Sequence, residues 1–227
     1  MVRIGITVFP GSNCDKDINY VFANIFKVRT DLIWHTKQKI DNYDAIIIPG
    51  GFSYGDRLRA GIIAAHSPII KEIKRLAKEG TFILGICNGF QILVESQLLP
   101  GSLILNNSLK FICKWIDIQV INNDTIFTKA FKKNQVIKIP LAHSEGRYII
   151  TESELKDMKK NNQIVFTYYH DNPNGSIESI AGVMNRSGNV MGMMPHPERT
   201  CQNELRQLGL ESTSMKIFES LLNYLKK

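Results

Sequence analysis

A cysteine stands between two glycines in GICNG, residues 85–89, where an apolar run gives way to a helical pattern. This is the G-x-nucleophile-x-G spacing of a nucleophile elbow, with Cys87 in place of the usual serine. Because the sharp strand-to-helix turn brings Gly85 and Gly89 together, both must be small. The thiol then lies at the positive end of a helix, which favours thiolate, and the Asn88 N–H can serve an oxyanion. A buried, inert cysteine beside two packing glycines fits the pentapeptide equally well.

An activated cysteine needs a base, and the segment GMMPHPER near the end of the sequence offers a histidine with a carboxylate. His196 and Glu198 flank Pro197, and in an extended segment their side chains point the same way. The carboxylate can then hold one ring nitrogen while the other faces a thiol. The remaining histidines lack such a neighbour and are interpreted as structural by default: His35, His66, His143 and His170.

Cys14, in GSNCDKD, is the rival nucleophile, because it also follows a strand pattern and precedes a helical one. It lacks glycines two residues before and after it, so we place Cys87 ahead of it. Cys113 and Cys201 are interpreted as structural. No C-x-x-C pair or zinc spacing is present, which disfavours a metal site and a disulfide framework. A reducing, cytoplasmic compartment fits these cysteines best.

A second glycine-rich segment, IIIPGGFSYGD at 46–56, follows a strand pattern that is apolar throughout. The end of such a strand leaves backbone N–H groups unpaired, and the glycines let a ligand approach them closely. Taken alone, an ordinary tight turn is the better interpretation. The Walker A pattern is absent from the sequence, so we predict no nucleotide-phosphate site.

Length and composition favour one α/β domain over residues 1–227, since 227 residues with 44% hydrophobic content can bury one sizeable core. No apolar run reaches membrane-spanning length, and the first residues do not resemble a signal peptide. The net charge of +7 is spread over separate lysine-rich stretches without interleaved aromatic residues. We therefore expect a solvated basic surface, with neither a nucleic acid nor a membrane as partner.

The elements that must position these residues alternate between strand and helix patterns in the first half. This alternation predicts an open, mostly parallel central sheet flanked by helices, and the second half adds strands separated by tight turns, which indicate antiparallel pairing. Helices are predicted over 15–26, 67–80 and 214–225. The predicted strands are RIGITVF, VRTDLIW, YDAIIIPGG, TFILGIC, KFICKWIDIQVI, QVIKIPLAH, QIVFTYYH, SIAGVMN and VMGMMPH.

Together these segments resemble the class I glutamine amidotransferases, in particular the glutaminase subunits of phosphoribosylformylglycinamidine synthases. The resemblance covers nearly the whole chain. It is carried by FPGSNCD, PGGFSYGD, LRAG, GICNGFQIL, LKFICKW, AHSEGR, NPNGS and MGMMPHPER. Two features depart from the family pattern: Ser144 stands where glycine is more usual, and the stretch before NPNGS is short.

The resemblance implies a role for each matching residue. Cys87 would be the nucleophile, His196 the general base and acid, and Glu198 the carboxylate that orients the histidine. The oxyanion hole would be formed by the backbone at Gly51 and Asn88. Contacts to substrate glutamine would come from Phe52, Gln91, His143, Ser144 and Glu145.

The implied reaction is hydrolysis of glutamine through a cysteine thioester, with the ammonia passed to a partner. The implied partners are a large synthetase subunit together with a small bridging one, and the complex makes formylglycinamidine ribonucleotide in the fourth step of purine synthesis. The resemblance implies no cofactor and no metal on this chain, with ATP and Mg²⁺ on the synthetase.

Three alternatives remain open. The nearest is a class I glutaminase subunit that serves a different ATP-dependent synthetase. An inactive amidotransferase-like binding subunit is disfavoured because all three residues of the implied triad are present. A redox or chaperone protein with an elbow cysteine is disfavoured by the His-Pro-Glu segment near the end of the sequence.

Overall fold

The structure, a computed structural model, describes residues 2–40, 42–201 and 213–226. Its strands are β1 (Arg3–Val8), β2 (Arg29–Trp34), β3 (Ala45–Ile48), β4 (Phe82–Ile86), β5 (Ser102–Leu105), β6 (Ile112–Val120), β7 (Val136–His143), β8 (Glu145–Ile149), β9 (Ile164–Tyr168), β10 (Ile180–Met184) and β11 (Val190–Met193). Its helices are α1 (Asp15–Tyr20), α2 (Ile62–Ala65), α3 (Pro68–Lys78), α4 (Asn88–Glu95), α5 (Glu152–Lys160) and α6 (Lys216–Leu225).

Nine of these strands form one sheet in the order β2-β1-β3-β4-β11-β10-β9-β6-β7. Its first five strands are parallel neighbours, and the next four are joined by antiparallel pairing. The predicted fold class, a mostly parallel central sheet with antiparallel strands from the second half, is confirmed. Pro140 lies within β7, and this position is tolerated because β7 is an edge strand.

The central strands are apolar on both faces because helices cover both sides of a parallel sheet. All four residues of β3 are buried, as are the last four of β4. Helix α3 begins with Pro68 at its first turn and buries the predicted stripe of Ile69, Ile73 and Leu76. Among the described residues, no helix is long and apolar enough to cross a membrane.

Some predicted elements differ in extent from those observed. The helix expected over 15–26 is α-helical only to Tyr20 and continues as a π-helical turn over Val21–Ile25. The predicted last helix begins with a 3₁₀ turn, Thr213–Met215, before α6.

Four elements were not predicted from the sequence: α2, α5, and the strands β5 and β8, which pair with each other in a separate antiparallel ribbon. The ribbon is hard to predict because β8 begins within the polar AHSEGR segment and ends two residues after it. Helix α5 did carry a signal, since Thr151 and Glu154 form a capping box at its start.

Helix α4 packs directly against the end of β3. A Cβ atom added to Gly89 would lie 1.9 Å from the carbonyl oxygen of Ile48, a contact that no side chain can make without moving the backbone. A Cβ added to Gly85 would lie 2.7 Å from the carbonyl group of Gly89. The two glycines are therefore required by packing, as the spacing around the cysteine predicts.

We expect Gly89→Ala to lower the free energy of unfolding by about 3 kcal/mol, the upper range for overpacking. Alanine normally favours a helix over glycine, so a loss would come from the Ile48 contact alone. Urea unfolding measures it. The matched control is Gly80→Ala after α3, where φ is 92° but no atom lies within 4 Å of the added Cβ. There we expect a loss of about 1 kcal/mol, the cost of a left-handed residue. Equal losses at the two glycines would contradict the packing argument.

Candidate active site

Cys87 occupies the turn between β4 and α4 in a strained backbone conformation, with φ 51° and ψ −107°. Its N–H donates to the carbonyl oxygen of Met193 at 2.8 Å, and its carbonyl oxygen accepts from the N–H of Gln91 at 3.1 Å. Both neighbours hold the backbone in place, which explains how a non-glycine residue keeps a positive φ. The predicted elbow is present, with the Cys87 side chain at the start of a helix.

His196 and Glu198 form a buried hydrogen-bonded pair. The Nδ1 atom of His196 lies 2.6 Å from Oε1 of Glu198, and each residue is 1% exposed. The main-chain N–H of His196 donates to the carbonyl oxygen of Pro140 at 2.9 Å, which fixes the start of the segment against β7. The sequence predicts an extended segment here. Instead Pro197–Thr200 forms a 3₁₀ turn, because proline suits the first turn of a helix, and the turn brings the carboxylate back to the ring.

The electrostatic surroundings favour the charged form of His196. Burial acts to lower the pKa of His196, but the Glu198 carboxylate and Cys87 outweigh it, and the pKa is raised well above 6.5. Cys87 contributes to this shift by charge, while its own Sγ lies 3.5 Å from the carbonyl oxygen of Ala142 on β7. The structure therefore brings Cys87, His196 and Glu198 together in the arrangement of a nucleophile, a base and an orienting carboxylate.

The Pro-Gly-Gly loop after β3 lies beside the elbow. The N–H of Ser53 donates to the side-chain oxygen of Asn88 at 3.1 Å, which ties the loop to the first residue of α4. Gly51 has φ 139°, and a Cβ there would lie 2.6 Å from the backbone nitrogen of Asn13. In the part of the chain that the structure describes, the N–H groups of Gly51 and Asn88 donate to no protein acceptor. Two backbone donors are thus available next to Cys87.

Gln91, one helical turn beyond the cysteine, is buried in a network of amide hydrogen bonds. Its Oε1 accepts from Nδ2 of Asn88 at 2.8 Å, and its Nε2 donates to the carbonyl oxygen of Glu145 at 2.6 Å. The Glu145 carboxylate in turn accepts from the N–H of Ala60 at 3.2 Å. The network connects the elbow to β8 and to the loop before α2.

The other three residues expected to contact glutamine lie around this network. Phe52 is 43% exposed, with its ring 6.3 Å from that of Phe111. His143 is buried, and burial together with the charge of His196 lowers the pKa of His143 to about 3. Ser144 is half-buried, and its carbonyl oxygen accepts from the N–H of Asn106 at 2.9 Å.

Asp56 was not predicted as a site residue, although it lies in the quoted FSYGD stretch. Its Oδ1 is 3.4 Å from Nδ2 of Asn88. Burial and the nearby Glu145 carboxylate raise the pKa of Asp56 to about 6. The available signal was an acidic residue in a glycine-containing loop directly after a buried strand.

Cys14, the rival candidate for the nucleophile, lies near the ring nitrogen of His196 that Glu198 holds. Its Sγ is 4.0 Å from Nδ1 of His196, the nitrogen that Glu198 already holds. One ligand-type atom each of Cys14, His196 and Glu198 lies within 4.8 Å of the others. Nδ1 of His196 is already hydrogen-bonded to Oε1 of Glu198, and the Arg199 guanidinium donates a hydrogen bond to Cys14. The arrangement therefore favours a positioned histidine over a metal centre.

Comparison with known proteins agrees with this geometry. The profile of the CobB/CobQ-like glutamine amidotransferase domain matches residues 1–225. The chain belongs to this family. It is also similar to a chain in the structure of PurLQS from Thermotoga maritima, with 48% identity, 99% of each chain covered and a TM-score of 0.88.

More distant structures share the fold of this glutamine amidotransferase. The glutaminase domain of CTPS from Trypanosoma brucei is 15% identical over 98% of this chain and 94% of its own, with a TM-score of 0.58. A glutamine amidotransferase from Thermotoga maritima is 16% identical over 99% of this chain and 84% of its own, with a TM-score of 0.58. At these identities the likeness concerns the fold alone.

We expect the pKa values of the two buried histidines to be shifted in opposite directions from 6.5. The His196 ring should stay protonated at pH 7 and above, because Glu198 and Cys87 raise its pKa. The His143 ring should stay neutral down to about pH 4, one unit above its pKa of about 3. Ring ¹⁵N chemical shifts followed by NMR across this pH range measure both, with His196→Asn and His143→Asn as assignment variants. Ordinary titration of either ring near 6.5 would contradict the electrostatics described above.

The pKa shifts of His196 and His143 determine how the contribution of each residue to folding stability changes with pH. Since the folded pKa of His196 is raised, its contribution is fully present below the unfolded pKa of 6.5 and is lost as the pH rises through the folded value. Since the folded pKa of His143 is lowered, its contribution is present above 6.5 and is lost as the pH falls toward about 3.

Proposed function

We propose that this chain is the glutaminase subunit of a phosphoribosylformylglycinamidine synthase. The observation that carries the proposal is the 48% identity, over 99% of both chains, to a chain of PurLQS from Thermotoga maritima. The sequence stretches around the elbow, the Pro-Gly-Gly loop and the His-Pro-Glu segment resemble the same group of subunits. The buried pair of His196 and Glu198 beside Cys87 supports a working, rather than an inactive, amidotransferase.

The reaction is acyl transfer. The Cys87 thiolate attacks the side-chain carboxamide carbon of glutamine, and the N–H groups of Gly51 and Asn88 stabilise the oxyanion. His196 gives its proton to the departing ammonia and then takes one from the water that hydrolyses the thioester, which yields glutamate. Glu198 keeps the imidazole oriented and charged. One oxyanion donor of this kind is worth about 3 kcal/mol in the transition state.

Substrate glutamine is bound on the α4 side of the cysteine. Gln91 and Glu145 present one face of the site through their mutual hydrogen bond. Phe52, in the loop after β3, together with His143 at the end of β7 and the adjacent Ser144, completes the proposed set of glutamine contacts. Because the Gln91 amide already has two protein partners, its direct contact with the substrate would need one of these bonds to exchange.

The ammonia passes to a large synthetase subunit, with a small subunit bridging the two. We propose that this chain holds no cofactor, with ATP and Mg²⁺ on the synthetase, since its sequence has no Walker A pattern. The cytoplasm is the proposed compartment, which the free thiols of Cys14, Cys87 and Cys113 support. The proposal assigns residues 1–227 to a single domain.

Cys87→Ala should abolish synthesis driven by glutamine but leave synthesis driven by ammonium salt, because the amidine chemistry takes place on the partner. The measurement is product formation by the reconstituted complex with each nitrogen donor. Cys113→Ala is the matched control, since Cys113 is exposed on β6, and it should change neither rate. Equal loss with glutamine and with ammonium, in a Cys87→Ala complex of normal composition, would contradict the division of labour.

A further inference from the structure

Cys14 has a set of contacts that the reaction described above does not use. The side chain is 1% exposed, and its Sγ accepts a hydrogen bond from Nη2 of Arg199 at 3.3 Å. The same sulfur lies 4.0 Å from Nδ1 of His196. The thiol therefore lies between the guanidinium and the imidazole, beside the nitrogen that carries the Glu198 hydrogen bond.

The backbone around Cys14 is bonded to the loop that carries Gly51. The N–H groups of Asn13 and Cys14 donate to the carbonyl oxygen of Gly50 at 3.4 and 3.2 Å. In the reverse direction, the N–H of Phe52 donates to the carbonyl oxygen of Gly11 at 3.0 Å. One short segment thus contacts both the loop with the oxyanion donor and the imidazole.

Packing leaves the imidazole little room to rotate. A Cβ atom added to Gly50 would lie 2.8 Å from Cε1 of His196 and 3.2 Å from the sulfur of Cys14. The ring is therefore enclosed by Gly50 and Cys14 on one side and held by Glu198 through Nδ1. Removing the sulfur would open space next to the ring.

We propose that Cys14 is a positioning residue, which, fixed by Arg199, holds the His196 imidazole against Glu198 and toward Cys87. This inference rests on the proposed function and deepens it. Cys14 is not a nucleophile in this arrangement, because its sulfur has no neighbouring glycine elbow and lies at the nitrogen already bound to the carboxylate.

The charged and titratable groups around His196 come from several elements. The Cys14 contact raises the pKa of His196, in the same direction as Glu198 and Cys87 and against burial. The groups that act on the ring or share its surroundings are Cys14, Asp17, Cys87, His143, Glu198 and Arg199. Loss of the Cys14 contact should therefore lower the pKa at which His196 gives up its proton.

The test uses the reconstituted complex with Cys14→Ala, Cys14→Ser and the exposed control Cys113→Ala. We expect Cys14→Ala to lower kcat for glutamine about fivefold, equivalent to about 1 kcal/mol, with KM unchanged. The basic limb of the pH profile should move to lower pH, since His196 must be protonated to release ammonia. Cys14→Ser should recover part of the rate, because its hydroxyl can also accept the Arg199 hydrogen bond. Cys113→Ala should match the wild type.

The outcomes separate this inference from the proposed function. A wild-type complex that releases no glutamate overturns both. If the wild-type complex uses glutamine and Cys14→Ala has the same kcat and the same basic limb of the pH profile, the positioning role alone is overturned. Equal losses in Cys14→Ala and Cys14→Ser, with an unmoved basic limb and a lower unfolding temperature, also overturn it, because they indicate packing alone. Ammonium-driven synthesis shows in each case that the complex is assembled.

Discussion

The close approach of α4 to the end of β3 is the constraint on which the rest of the site depends. With only 1.9 Å between the Gly89 Cβ position and the Ile48 carbonyl oxygen, the chain must turn sharply after β4. That turn places Cys87 at a positive φ and at the start of the helix. Ile48 is also the last residue of β3, so the contact fixes where the Pro-Gly-Gly loop begins. Cys87 and the loop beside it are therefore positioned by one contact.

The charge states of the buried residues Glu198, His196 and His143 also depend on one another. A carboxylate that is 1% exposed is costly unless it is paired, and Glu198 has the His196 ring as its partner at 2.6 Å. The pairing makes the imidazolium favourable despite burial, while the same positive charge helps to keep His143 neutral nearby. Two histidines in one buried region thus differ in charge because only one has a carboxylate. Removing Glu198 would leave the charged form of His196 without its main support.

Much of this arrangement can be predicted from the sequence. The parts that could not be predicted have a common physical cause, since they depend on contacts or loop conformations that no local pattern encodes. The elbow and the strands of the main sheet are local patterns, so glycine spacing and apolar runs suffice to predict them. The pairing of His196 with Glu198 was also predicted from their spacing, but the 3₁₀ turn that brings them together was not. The contact of Cys14 with His196 joins residues 182 positions apart, and no local pattern encodes it. Asp56 was missed because its position depends on a loop with positive φ at Tyr54, Asp56 and Leu58. The β5–β8 ribbon was missed because β8 begins in a polar segment.

The sheet register turns these separate segments into one site. Gly51 follows β3, Cys87 follows β4 and His196 follows β11, and these three strands are adjacent and parallel. Ile48 pairs with Gly85, and Met193 pairs with Ile86, so all three segments leave the sheet at the same edge. A slip of β11 by one residue would move His196 by about 3.3 Å and reverse the face of each side chain on the strand. Such a shift exceeds the tolerance of a hydrogen bond. The full burial of β11 specifies the register, since a slip would require repacking its apolar side chains, and the hydrophobic core thereby sets the position of His196.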